Sequence, residues 1–143
     1  MTLKNIDNYD ITILNRQTID GEDDTIEEKS VGSFRVMDKK AYIMYKTRDE
    51  DGGETTSVVT VSDEGVKIKR KGSVTADMIY TQGKKTEFLY RLPFGAMDME
   101  IYTKSIENSL DENGGTLRIA YTLFAQGAKM ENDMQIQILR GKE

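Results

Sequence analysis

The sequence contains neither cysteine nor histidine. Without cysteine there are no disulfides, no thiolate nucleophile and no thiolate metal ligands, a composition that suits a reducing cytoplasm. The two absences together remove Ser–His and Cys–His catalysis and nearly all zinc chemistry. Carboxylates, lysine, tyrosine and hydroxyls are the chemical actors left. Proline occurs once, in Pro93-Phe94-Gly95, where a tight turn accepts both its proline and its glycine. No stretch approaches the length of a membrane span, and Met1-Thr2-Leu3-Lys4-Asn5-Ile6-Asp7 lacks an apolar run of signal-peptide length. A cytoplasmic location and no membrane partner are therefore expected. The net charge of -5 opposes non-specific attraction to phosphate backbones, so nucleic acid is not an expected partner either.

What the sequence does contain is a period of two. With 143 residues it has room for one domain and one core, and it divides into a polar leader over residues 1–8 and a single domain over 9–143. Tyr9, Ile11 and Ile13 alternate with polar residues up to the turn Asp20-Gly21-Glu22-Asp23-Asp24. Ile26, Glu28, Ser30, Gly32, Phe34 and Val36 share the next inward phase, and Tyr42 and Met44 oppose Ile43 and Tyr45 on the strand after it. Val66, Ile68 and Arg70 share one face while Lys67, Lys69 and Lys71 share the other, and Gly72 marks a bulge or bend. Met97, Met99 and Ile101 lie in one phase but Ile106 and Leu110 in the opposite one, which predicts a bulge between Tyr102 and Ser105. Asn113-Gly114-Gly115 is a hairpin signal.

Every connection is short, so sequential strands are expected to be antiparallel neighbours. Eight to ten of them closed into an up-and-down barrel leave no long edge exposed, and a two-sheet sandwich is the alternative. The expected fold is thus all-β, a single antiparallel up-and-down barrel. In this arrangement the acidic turns at 20–24 and 49–54 fall at one end and Asp38-Lys39-Lys40 at the other.

Arg70-Lys71-Gly72, followed by Tyr90-Arg91-Leu92-Pro93-Phe94-Gly95 and Asn113-Gly114-Gly115 at this spacing, resembles the YwiB-like family of small bacterial proteins. The likeness covers most of the chain and is weakest before Tyr9. It implies a calycin-like barrel, related in shape to lipocalins. It brings no catalytic residue, no cofactor and no assigned activity.

Arg70 is the leading candidate for a functional residue. A guanidinium on an inward face stays charged and must find a carboxylate, carbonyls, water or an anionic ligand. Either a bound anion is its partner, or it pairs with Glu28 or caps carbonyls at a closed end. Tyr42, Tyr80, Tyr90 and Tyr121, with Met44, Met78, Met97, Met99, Phe34 and Phe88, are candidates to line a pocket of soft and amphipathic groups, or else to fill the core. Asp49-Glu50-Asp51-Gly52-Gly53-Glu54 lacks the ligand spacing of an EF-hand and reads as a hairpin tip, so no metal is expected. Asp98 and Glu100 alternate with Met97 and Met99 and therefore face water, which argues against carboxylate catalysis. Two readings follow. One is a non-enzymatic barrel that binds a small, partly apolar or anionic ligand inside. The other is a filled barrel acting through its outside as an interaction module or homodimer.

Overall fold

The computed structural model describes residues 9–141; the polar leader at 1–8 lies outside the described residues. Ten strands follow one another: β1 (Tyr9–Ile19), β2 (Glu22–Met37), β3 (Lys40–Arg48), β4 (Glu54–Ser62), β5 (Gly65–Gly72), β6 (Ala76–Tyr80), β7 (Lys85–Leu92), β8 (Gly95–Asn108), β9 (Gly115–Ala125) and β10 (Ala128–Arg140). There is no helix among the described residues. All pairings are antiparallel, in the order β6-β5-β4-β3-β2-β1-β10-β9-β8-β7, so the chain is a meander whose first and last strands zip together. The two free edges, β6 and β7, meet through the pair Thr75–Arg91, whose backbones exchange hydrogen bonds of 3.0 and 2.9 Å, and through Thr86 Oγ1 donating to the Ile79 carbonyl at 2.6 Å. The barrel is nearly closed.

Alternation decides what lies inside. On β5, Val66 and Ile68 are buried and Lys67, Lys69 and Lys71 exposed, as the period of two predicts. The β8 bulge also falls in the predicted place. Thr103 opposes Tyr121 and Ser105 opposes Ala120, which leaves Lys104 as the extra residue and lets Ile106 return to the inward phase opposite Ile119.

The aliphatic core fills one half of the barrel. Ile11, Phe34, Ile43, Val59, Val61, Val66, Ile68, Leu117, Ile119, Ile136 and Ile138 crowd the half bounded by the turns at 38–39, 63–64 and 109–114. Toward the other end the inward positions turn polar: Asn15 and Gln17 on β1, Glu28 on β2, Thr55 and Ser57 on β4, Arg70 on β5. This end carries the acidic turns at 20–24 and 49–54, so it is both the open and the negatively charged end.

Gly32 makes the opening possible. The strand β2 pairs with β1 over residues 22–32 and with β3 over 33–37, so it changes partners at this glycine. A side chain there would overlap the Met44 carbonyl oxygen and press on Ile11. Beyond the corner the ladder between β2 and β3 stops, and Ser30 Oγ donating to the Lys46 carbonyl at 2.9 Å spans the gap.

Candidate lumen site

In the open half the barrel holds a cavity of about 350 Å³ that is partly open to solvent. Its apolar wall is formed by Ile13, Met78, Phe88, Met99, Ile101 and Met134, with Tyr80, Tyr90 and Tyr121 among them. Its polar wall is Asn15, Gln17, Glu28 and Arg70. A second chamber of about 170 Å³ lies on the far side of Arg70, in the gap between β2 and β3, and is rich in hydroxyls from Tyr45, Thr47, Thr55 and Ser57. Arg70 and Glu28 line both.

Four of the five residues singled out in the sequence converge here: Arg70, Tyr80, Tyr90 and Tyr121. Tyr42 does not. It pairs with Arg35 and Thr60 on the outer face of β3, whereas Ala41, Ile43 and Tyr45 point inward. Both phases of β3 are apolar, and the tie is broken by β4, whose buried Ser57, Val59 and Val61 oppose Tyr45, Ile43 and Ala41. Tyr45 is thus the inward tyrosine that takes the place expected of Tyr42. Met44 lies outside with Tyr42, and Phe34 belongs to the core, edge-on to Tyr9 at 5.4 Å.

The environment of Arg70 is unusual. It sits opposite Ser57 and Ala76, both buried, and its Nε is buried without a hydrogen-bond partner. No carboxylate lies within ion-pairing distance of the guanidinium among the described residues. Glu28, the partner the sequence offered, acts on it only at longer range, as do the hydroxyls of Tyr80 and Tyr121, while the Tyr45 hydroxyl shares a hydrogen bond with it. Burial works against its charge, but these groups together outweigh burial and leave its pKa raised. Asn15 mirrors the arrangement as an acceptor. Its Nδ2 donates to Asn132 Oδ1 at 3.3 Å, while its Oδ1 is buried with no partner.

Tyr80, Tyr121 and Tyr45 are held neutral. Burial drives Tyr80 well above the ordinary tyrosine value, and Tyr121 beside it adds to the rise. Burial also raises Tyr121 and Tyr45, each drawn partway back by Arg70 and a neighbouring hydroxyl. Tyr80 and Tyr121 pack edge to face at 5.0 Å, and the Tyr80 hydroxyl meets Met78 Sδ at 3.7 Å. The pH consequence has a definite sign. Above the ordinary phenol value of about 10 the unfolded chain releases protons that the folded chain retains, so stability is full below that pH and falls as pH rises beyond it. Urea midpoints measured from pH 8 to 11.5 are expected to be level at first and then to decline above pH 10, as the tyrosines of the unfolded chain ionise ahead of these three in the folded one. Level midpoints through pH 11 would contradict the assignment.

A larger hollow of about 850 Å³ lies by the β9–β10 turn, lined by Glu87, Asp98, Glu100, Phe124 and Lys129 among others. It is a wide-open surface trough, and Lys85 already covers the Phe124 ring at 4.9 Å. No polar group left buried without a partner belongs to it. Asp98 is exposed and shares the outer face of β8 with Glu100, as their alternation predicts.

Comparison with known proteins agrees with this architecture. The family model described as "Domain of unknown function (DUF1934)" matches residues 11–138. The chain is 33% identical over 104 residues to a relative described as "Uncharacterized beta-barrel protein YwiB" of Bacillus subtilis (strain 168), covering 73% of this chain and 72% of that one. The crystal structure of the ywiB protein from Bacillus subtilis superposes with a TM-score of 0.86 at 27% identity, over 94% of this chain and 92% of that one.

Proposed function

Because this chain belongs to the DUF1934 family, a domain of unknown function, we propose a role from the interior of the barrel alone: a non-catalytic cytoplasmic binder of a small, partly apolar molecule bearing a carboxylate, anchored by Arg70. The observation that carries the reading is a guanidinium whose Nε is buried without a hydrogen-bond partner, on a residue that lines a cavity of about 350 Å³. Buried polar groups are almost always satisfied, and an unpaired donor on a charged group costs more than an ordinary hydrogen bond is worth. A bound carboxylate satisfies it, accepting from Nε and a terminal nitrogen in the planar fork that suits guanidinium.

The cavity volume lies at the small end of the range for small-molecule sites. Its methionines and aromatic rings give an adaptable apolar wall for the body of the ligand, and the neutral tyrosine hydroxyls can donate to the same carboxylate. The competing reading, a filled barrel working through its outside, requires an interior without room.

Calorimetric titration tests the proposal with two probes of one shape. The protein is expected to bind 3-phenylpropanoate saturably with one site per chain, and 3-phenylpropan-1-ol at least about tenfold more weakly, a difference of about 1.4 kcal/mol. Equal binding of the two would remove Arg70 as anchor, and no heat from either would remove lumen binding.

A further inference from the structure

We propose that the lumen is built for a zwitterion, an α-amino acid with an apolar side chain, whose carboxylate meets Arg70 and whose ammonium meets Asn15 Oδ1 and Glu28. This rests on the reading of the lumen as a carboxylate site and names the class of molecule within it.

Two residues that line the cavity carry unsatisfied groups of opposite kinds. Arg70 Nε is a buried donor without an acceptor, and Asn15 Oδ1 is a buried acceptor without a donor. Glu28 forms neither a hydrogen bond nor an ion pair among the described residues, although it lines the same space as Arg70. The two acceptors are grouped. Asn15 pairs with Ile26 and Ile13 with Glu28, so Asn15 and Glu28 are diagonal neighbours on the inner face of β1 and β2, ~7 Å apart at their backbones. The donor is on β5, separated in the sheet order from β2 by β3 and β4.

A lone carboxylate ligand would satisfy Arg70, leave Asn15 Oδ1 bare and stand in the field of Glu28. An ammonium has three donors and no acceptor, so it answers both Asn15 and Glu28 and cancels that repulsion. The mouth points the same way. Two of the turns at that end, residues 20–24 and 49–54, carry carboxylates, of which Asp23 and Glu54 are paired with Arg16 and Arg48. Their charge opposes the approach of a net anion and is indifferent to a molecule of zero net charge. With the charged groups held between β1–β2 and β5, the side chain is left to Phe88, Met99, Ile101 and Met134.

The test compares L-phenylalanine and L-leucine with their deaminated counterparts, 3-phenylpropanoate and 4-methylpentanoate, and with 2-phenylethylamine, by calorimetry on the full chain. At least one amino acid is expected to bind about tenfold or more tightly than its deaminated counterpart, and 2-phenylethylamine more weakly than L-phenylalanine. Glu28→Gln is expected to weaken the amino acid severalfold and to leave the deaminated acid unchanged or tighter. Deaminated acids that bind as well as the amino acids in the unaltered protein would overturn the zwitterion and leave the carboxylate site standing. An amine that binds as tightly as the amino acid would overturn the carboxylate's place on Arg70. Failure of every carboxylate to bind would overturn both. The ranking of probes on the unaltered chain stands whether or not Glu28→Gln folds.

Discussion

Arg70→Met is expected to abolish ligand capture while leaving the barrel about as stable as before. The stability half follows from what the guanidinium lacks. It has given up part of its hydration, its Nε has no partner, and the loss is offset by the hydroxyls of Tyr45, Tyr80 and Tyr121 and the longer-range pull of Glu28 rather than by an ion pair. Replacing such a charge with an unbranched apolar chain of similar length is commonly near neutral, and a change within about 1 kcal/mol in urea unfolding is expected. The surroundings accommodate the change: Arg70 faces Ser57 and Ala76, next to the Ile68–Met78 pair, and the Tyr45 hydroxyl, which loses its hydrogen bond with Arg70, keeps the one with Ser57.

The binding half is larger. Removing the charged fork from a carboxylate held in the lumen is expected to cost about 3 kcal/mol, a loss of about 100-fold in affinity for 3-phenylpropanoate. Arg70→Lys, a single point charge without the planar fork, should fall between. A structural arginine behaves in the opposite way, with Arg70→Met losing more than about 2 kcal/mol of stability. Arg70 is retained, on this account, for what enters the barrel.

Gly32→Ala is expected to be the most damaging single methyl that the chain could acquire in β2. The added carbon would overlap the Met44 carbonyl oxygen and press on the end of Ile11 in the core. Backbone cannot swing aside as a side chain can, so β2 or β3 must shift where β2 leaves β1 for β3. A loss of about 3 kcal/mol is expected, at the upper end of overpacking costs, with the urea midpoint as the readout. Gly21, at φ 81 with open space around it, is the control, since asparagine tolerates that conformation and Gly21→Asn should be nearly silent. A Gly32→Ala chain within 1 kcal/mol of the parent would mean that the corner is soft.

The barrel was readable in the sequence because a period of two carries two kinds of information. Lys67, Lys69 and Lys71 fix the outer face of β5 and thereby place Arg70 inside. The break between Ile101 and Ile106 locates the β8 bulge to within a few residues. Tyr42 and Tyr45 show where the signal fails, since apolar residues on both faces leave the phase undetermined until the register with β4 is known. Three features of the site have no local signature. The pairing of Arg70 with Glu28 looked natural by phase, yet the distance across a lumen is set by β3 and β4 between them. The unsatisfied Asn15 Oδ1 depends on how Asn132 takes the other end of its amide. Gly32 shares its phase with Phe34 like any inward residue, and only the change of strand partners shows that it is a corner.

The most direct measurement of a carboxylate-binding lumen is the NMR signal of the Arg70 Nε–Hε group during titration with 3-phenylpropanoate. A buried donor that gains a charged acceptor should move downfield and saturate with the same dissociation constant as the calorimetry. A signal that stays in place while the probe reaches saturating concentration would show that no carboxylate reaches Arg70, and the central claim would fail.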